Sequence, residues 1–166
     1  LYIIGTTKPE LGGSEYYALH GKLGASVPKL EPKKNIIAYA RLNEAMDRGI
    51  VRACHDLSEG GLGVSAAEMA FTGDLGIDID LSKVPLSKDM RDDFALYSES
   101  NGRLLVEVPE KDYGEFESIM SDSVFARIGL VKEKKTLRLA KNGEPLIELP
   151  LKTLIEAWKT PLEDPR

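Results

Sequence analysis

The sequence has one cysteine, Cys54, so no disulfide can close within the chain. It ends the apolar run Gly49-Ile50-Val51-Arg52-Ala53-Cys54, which reads as a short strand. The simplest expectation is a buried small hydrophobe in a protein of a reducing compartment. No apolar run approaches the ~20 residues of a membrane span and no secretory signal pattern is present, so the expected location is cytoplasmic, without a membrane partner. A net charge of −5, with no basic run interleaved with aromatics, argues against a nucleic-acid partner. No Gly-Lys-Ser/Thr follows any glycine pair, which excludes a P-loop. His20 stands without a companion in an irregular stretch and reads as a surface residue.

What is present suits one ordinary globular domain. The 166 residues are enough for a real core, and 42% hydrophobic with 30% charged residues is usual for a folded protein. The chain opens at Leu1, without methionine, directly in the strand-like Leu1-Tyr2-Ile3-Ile4. This leads to the expectation of a piece of a longer polypeptide, with any shared site only half visible.

The most informative stretch is Cys54-His55-Asp56-Leu57-Ser58-Glu59-Gly60-Gly61-Leu62. Leu62, Ala66, Met69 and Ala70 then recur at the spacing of a helix with one buried face. A strand that ends in polar groups and turns through glycines into a helix N-terminus is a ready anion site. Free N–H groups and the positive dipole end point at the ligand, and Gly61 lets the backbone approach it closely. With no lysine in the turn and Asp56 beside it, the chemistry suits a phosphate whose charge a metal offsets. The same residues allow a plainer role, in which Asp56 or Ser58 caps the helix. Both readings stand at this point.

Along the rest of the chain, Leu11-Gly12-Gly13-Ser14-Glu15-Tyr16 is a second glycine turn before a hydroxyl, and residues 18–34 read as irregular connection. Asn35 to Arg48 is expected to be a helix with Ala38, Leu42, Ala45 and Met46 as its stripe, Asn35 as cap and Gly49 as stop. Gly76 to Leu81 alternates strictly and reads as an edge strand whose wet face carries Asp78 and Asp80. A short helix over 87–97 precedes the third polar turn, Ser98-Glu99-Ser100-Asn101-Gly102, which runs into a strand from Arg103. Pro109-Glu110 opens a helix, 125–131 is a strand, and Asn142-Gly143 marks a hairpin between 136–140 and 145–149. The lysine-rich 132–135 is a solvated turn. A helix over 151–158 closes the fold, and 161–166 trail off. The alternation of helices and strands gives an α/β domain with one mixed sheet covered by helices.

The three turns, in this order and spacing, resemble the C-terminal α/β domain of the phosphoribosylformylglycinamidine synthases, within the aminoimidazole ribonucleotide synthetase-like superfamily. The likeness runs from Leu1 to about Trp158. Selenophosphate synthetase, thiamine-monophosphate kinase and a hydrogenase maturation protein carry related domains. The resemblance implies a three-layer α/β/α sandwich spanning 1–166, the last of four domains in a tandem synthetase. It implies an ATP- and Mg²⁺-dependent ligase that turns formylglycinamide ribonucleotide and ammonia into the amidine. The partners it implies are the rest of the same chain, a glutaminase subunit and a small accessory subunit.

By resemblance, Asp56 is a metal ligand, and Gly12, Gly13, Ser14, Ser58, Gly60 and Gly61 are nucleotide- or phosphate-binding. Glu99, Ser100 and Asn101 match a stretch that contacts substrate in the other half of the tandem. The family's candidate catalytic histidine lies in a domain outside this sequence, so no catalytic residue is assigned here and His55 does not inherit that role. Two other readings stand beside this one: a scaffold or auxiliary nucleotide-binding domain of the same tandem, and the corresponding domain of one of the relatives.

Overall fold

Leu1-Tyr2-Ile3-Ile4 lacks polar alternation, which suits a strand covered on both faces. In the computed structural model, which describes residues 1–163, strand β1 (Tyr2–Ile4) is buried throughout. It lies antiparallel between β4 (Leu104–Glu107) and β5 (Phe125–Arg127), and β2 (Ala53–Asp56) pairs with β4 at the edge. A second sheet runs in the order β6 (Gly129–Lys132), β3 (Gly76–Asp80), β7 (Thr136–Lys141), β8 (Glu144–Pro150). Here β3 and β7 are parallel and the other pairs antiparallel.

The single strand expected over 125–131 is therefore two, and the strands divide between two sheets. Buried Ile128 makes the division, its N–H donating to the Leu1 carbonyl at 2.9 Å and its carbonyl accepting from Asp80 N–H at 2.8 Å. One residue thus passes the chain from the first ladder to the second.

Successive residues of a strand face opposite sides, and both sides of β1 are filled. Ile3 joins Leu105 and the stripe Leu62, Ala66 and Ala70 of α3 (Gly61–Gly73), against Ile77, Ile79, Leu137 and Leu139 of the second sheet. Tyr2 and Ile4 join Val106, the stripe Ala38, Leu42 and Ala45 of α2 (Pro32–Asp47), and Phe116 and Met120 at α5 (Tyr113–Ile119). Helix α3 touches β2 and β4 on one side and β3 and β7 on the other. It is the element on which the two sheets meet. Its position explains why its apolar stripe is broad and its residues small.

Several local expectations change. Helix α2 starts at Pro32, three residues before Asn35, because proline at the first helical position loses no hydrogen bond there. Gly49 does end it: at φ 72° its N–H reaches the Met46 carbonyl at 2.9 Å, and Ile50 N–H reaches Ala45 at 3.3 Å. A short α1 (Glu15–Leu19) follows the first glycine turn, and α4 (Asp92–Tyr97) occupies only the second half of 87–97. A 3-10 turn (Glu110–Asp112) precedes α5. Strand β3 is paired on both sides and is not an edge; Asp80 accepts from Ser82 N–H at 3.0 Å and stops the strand. Cys54 is exposed, because β2 is the edge of its sheet. Asn142 and Gly143, at φ 51° and 87°, make the hairpin turn. Helix α6 (Leu151–Glu163) runs past Trp158, and 164–166 lie outside the described residues.

Candidate functional site

Strands β2 and β4 pair so that Asp56 lies opposite Leu104. The turn leaving β2 and the turn entering β4 therefore sit side by side, although more than forty residues separate them in sequence. Together they line an open cleft of about 390 Å³, walled by Asp56, Ser58, Glu59, Glu99 and Asn101, with Tyr39 of α2 at its side. Three of these are carboxylates. Arg103 also borders the cleft, but its guanidinium is buried and committed elsewhere: Nε donates to Ser100 O at 2.9 Å, Nη1 to Thr7 Oγ1 at 3.0 Å and Nη2 to Ser98 O at 2.5 Å. It is 2% exposed, and burial pulls it down to about 10, so it stays charged at neutral pH. Its task is to hold the turn 98–102 in shape.

Asp56 is exposed at the cleft. The Ser58 hydroxyl donates to its Oδ2 and holds the carboxyl below the usual carboxylate range. Neither residue caps α3. The cap position belongs to Gly60, in the left-handed conformation at φ 73°, which has no side chain of its own to cap the helix. The carboxylate that serves this helix N-terminus comes from the third turn. Glu99 Oε1 accepts from Gly60 N–H at 3.0 Å and from Glu15 N–H, the first residue of α1, at 3.2 Å. All three glycine-bearing turns are thus joined through one oxygen atom. Position and charge favour this arrangement, since helix N-termini attract carboxylates.

His55 turns away from the cleft. Its Nδ1 lies 2.7 Å from the Asp56 carbonyl and its Nε2 3.2 Å from Glu68 of α3. Ser65, also on α3, donates to the Asp56 carbonyl at 2.8 Å and fixes the end of β2. Ser65 and Arg103 are the supporting residues that reading the motifs alone passes over. Arg103 ends the third motif without having been given a role, and a charged residue between a polar turn and an apolar strand was the available signal.

The remaining motif residues face the chain itself. Ser14, 1% exposed, caps α1 by accepting from Tyr17 N–H at 3.2 Å. Gly12 packs on the backbone of Ser26 and Val27, where a Cβ would come within 2.8 Å, and its N–H donates to Ser26 O. Gly13, at φ 78°, faces open space. Gly61 is buried against the carbonyls of Ser98 and Leu96, so the close approach it permits is to the third turn. Ser100 is buried and accepts from Lys8 N–H at 3.1 Å. Of the ten residues singled out from sequence, Asp56, Ser58, Glu99 and Asn101 line the cleft. Gly60 stands behind them, its N–H on Glu99.

The joint on Glu99 is open to test. Glu99→Gln keeps an acceptor oxygen and is expected to change stability by less than ~1 kcal/mol, whereas Glu99→Ala leaves the buried Gly60 N–H without its acceptor, hands the exposed Glu15 N–H to water, and is expected to cost about 1–2 kcal/mol. Amide exchange should then speed up at Gly60 and Glu15 together. Faster exchange at only one of the two would break the claim of a shared acceptor.

An α/β domain in which a β2–α3 turn and a β4 turn build one polar cleft belongs to a recognisable class. The chain matches the family described as AIR synthase related protein, C-terminal domain, over residues 1–142, and it is a member of that family. It is similar to the phosphoribosylformylglycinamidine synthase subunit PurL of Methanothrix thermoacetophila, 40% identical over 168 residues, covering 99% of this chain and 21% of the relative. The subunit of the same description from Thermococcus gammatolerans is 41% identical over 122 residues, with 74% and 17% covered. This chain thus spans about a fifth of the length of such relatives. Among solved structures, the fold is that of Thermotoga maritima PurL complexed with FGAR, with a TM-score of 0.78 at 24% identity over 92% of this chain and 27% of the other. The hydrogenase maturation protein HypE of E. coli shares the fold at TM-score 0.63 and 21% identity, with 90% and 47% covered.

Proposed function

We propose that this chain is the C-terminal domain of a phosphoribosylformylglycinamidine synthase and that its cleft holds a magnesium nucleotide. The reaction served is the ATP-dependent conversion of formylglycinamide ribonucleotide and ammonia to the formylglycinamidine ribonucleotide in purine biosynthesis. The observation that carries the reading is the charge of the cleft. Asp56, Glu59 and Glu99 repel a bare polyphosphate, and Arg103 is engaged by the chain. Phosphate oxygens enter such a site only with a divalent cation between them and a carboxylate, and Mg²⁺ is typically held by one or two carboxylates, phosphate and waters. Asp56, kept ionised by Ser58, is the ligand this chain offers, and Asn101 faces the same space. The metal would offset phosphate charge there; phosphoryl transfer needs that neutralisation and positioning more than covalent help. Complexes of Thermotoga maritima PurL, a protein that contains a domain of this fold, with ATP and with AMPPCP support the nucleotide part of the reading.

His55 is directed at Glu68, and in this reading Asp56 is given to the metal and Glu99 to the N–H groups of Gly60 and Glu15, which supports an auxiliary binding role with turnover elsewhere in a longer chain. The remaining domains, a glutaminase subunit and a small accessory subunit are the partners of this reading. Leu19, Leu23, Leu30 and Ile36 are large apolar side chains left exposed in and near α1 and α2, and this reading has those domains cover them. The test is amidine formation from formylglycinamide ribonucleotide, ammonia, ATP and Mg²⁺. The 166-residue chain alone is expected to give none, and a polypeptide that adds the preceding domains is expected to turn over. Comparable turnover by the short chain, or none by the longer one, would overturn the reading.

A further inference from the structure

The two sheets part where β2, the edge of the first, and β6, the edge of the second, flank helix α3. Between them opens a cavity of about 400 Å³, a size usual for small-molecule sites. It shares no lining residue with the carboxylate-lined cleft. Much of its wall is apolar. Met69 comes from α3, Leu75 from the turn into β3, and Val131 of β6 lies opposite Ile77 of β3. Leu75 is 41% exposed, a large apolar side chain that the chain itself leaves uncovered.

The polar groups of the cavity carry one sign of charge. Residues directly opposite on paired strands share a face, so the pairs Ala53↔Glu107 and His55↔Leu105 put Glu107 and His55 on the side of α3. Glu68 reaches the same space from the helix but is engaged, its Oε2 lying 3.2 Å from His55 Nε2. Glu107 forms no ion pair among the described residues, and no lysine or arginine lines the cavity. The Leu1 amino group is attracted by Glu107, yet it donates to the Gly129 carbonyl at 2.8 Å and burial pulls it down to about 6. At neutral pH it is mostly uncharged. One carboxylate thus stands beside an apolar wall without a cation.

That pairing selects a guest. A neutral apolar molecule would strip water from Glu107 without offsetting the loss, and an anion would be repelled. The guest is therefore a cation with an apolar body. No Phe, Tyr or Trp lines the cavity, which argues against a quaternary ammonium, a group held by aromatic faces. A primary ammonium instead brings three N–H donors, enough for Glu107 and for the Thr72 hydroxyl that also lines the cavity.

We propose that this cavity binds a small primary alkylamine, with its ammonium on Glu107 and its hydrocarbon chain along Met69, Leu75 and Val131. The site does not depend on the magnesium-nucleotide reading.

Pentylamine is the probe, with pentanol and pentanoate titrated in parallel into the full chain at low salt. Pentylamine is expected to saturate at one per chain and to bind at least about tenfold more tightly than either. Glu107→Gln should weaken it about tenfold, and Leu75→Ser, which leaves the charge unchanged, about fivefold. Neither side chain belongs to the buried core, so both variants should melt with the parent. Cys54, the single thiol, lines the cavity and reports occupancy. Pentylamine at a concentration that saturates only the parent should slow alkylation of Cys54 by iodoacetamide there and hardly at all in Glu107→Gln. Pentanol binding as tightly as pentylamine would reduce the site to apolar contact and overturn the proposal. So would equal pentylamine affinity in the parent and Glu107→Gln, an unprotected Cys54, or no saturation. Nα-acetyl-lysine amide carries an ammonium arm on a peptide backbone. If it binds more tightly than pentylamine, the cavity belongs to a lysine of another polypeptide and the proposal fails.

Discussion

Gly61→Ala is expected to lower the melting temperature by roughly 6–12 °C, because two costs fall on the same atom. The backbone there has φ 59°, a conformation that costs a residue with a Cβ about 1–2 kcal/mol. The added methyl would also overlap the Ser98 carbonyl oxygen and lie 2.8 Å from that of Leu96. Helix α3 would have to withdraw from the turn 98–102, and the sum is about 3 kcal/mol or more, at 2–4 °C for each kcal/mol. Gly13→Ala is the control. Its φ of 78° carries the same backbone cost, but nothing lies within 4 Å of the new atom, so the fall should stay near that of the strain alone. Calorimetric melts of the two variants decide the matter. A Gly61→Ala transition no lower than that of Gly13→Ala would mean that the third turn does not press on α3.

Arg103→Met should be as damaging for a different reason. The guanidinium is buried and donates to Ser98 O, Ser100 O and Thr7 Oγ1, three acceptors from two segments far apart in sequence. Methionine fills a similar volume and supplies no donor. The acceptors stay buried and unpaired, and the negative charges of Glu10 and Glu99 lose the cation that offsets them. Removing one side of a buried charged network costs about 3–5 kcal/mol, a fall on the order of 10 °C. Arg103→Lys should recover only part of it, since an ammonium cannot span three directions as the planar fork does. A melt within 2 °C of the parent for Arg103→Met would contradict the role given to this residue.

The periodic parts of the fold were legible in the sequence because burial imposes them directly. The stripes Ala38–Leu42–Ala45 and Leu62–Ala66–Ala70 and the Asn142-Gly143 hairpin are where local spacing places them, while Met46, expected in the first stripe, is exposed. The break at Ile128 was not legible, since an apolar run continues through it and only the pairing of Leu1 and Asp80 with its two backbone groups reveals the change of sheet. The same distinction applies to the site. Asp56, Ser58, Glu99 and Asn101 stood out as polar residues in glycine-ended turns, and the structure gathers them at one cleft. Spacing carries no information on whether a glycine approaches a ligand or another turn. Gly12 and Gly61 approach backbone, and Ser14 and Ser100 spend their hydroxyls on the chain, facts that exist only after long-range packing. The cavity beside Glu107 is likewise invisible before the fold brings β2, α3 and β6 together.

The most direct measurement is titration of ATP into the chain joined to the preceding domains of the proposed synthase, with and without Mg²⁺, for the parent and for Asp56→Asn. Neither Asp56 nor Ser58 caps α3, and asparagine can still accept from Ser58, so the melting temperature should stay within ~2 °C. If Asp56 holds the metal that brings phosphate into a cleft of carboxylates, Mg²⁺ should strengthen nucleotide binding in the parent, and Asp56→Asn should lose at least about tenfold of that gain. Nucleotide affinity that is equal in the two proteins at every Mg²⁺ concentration would contradict the account.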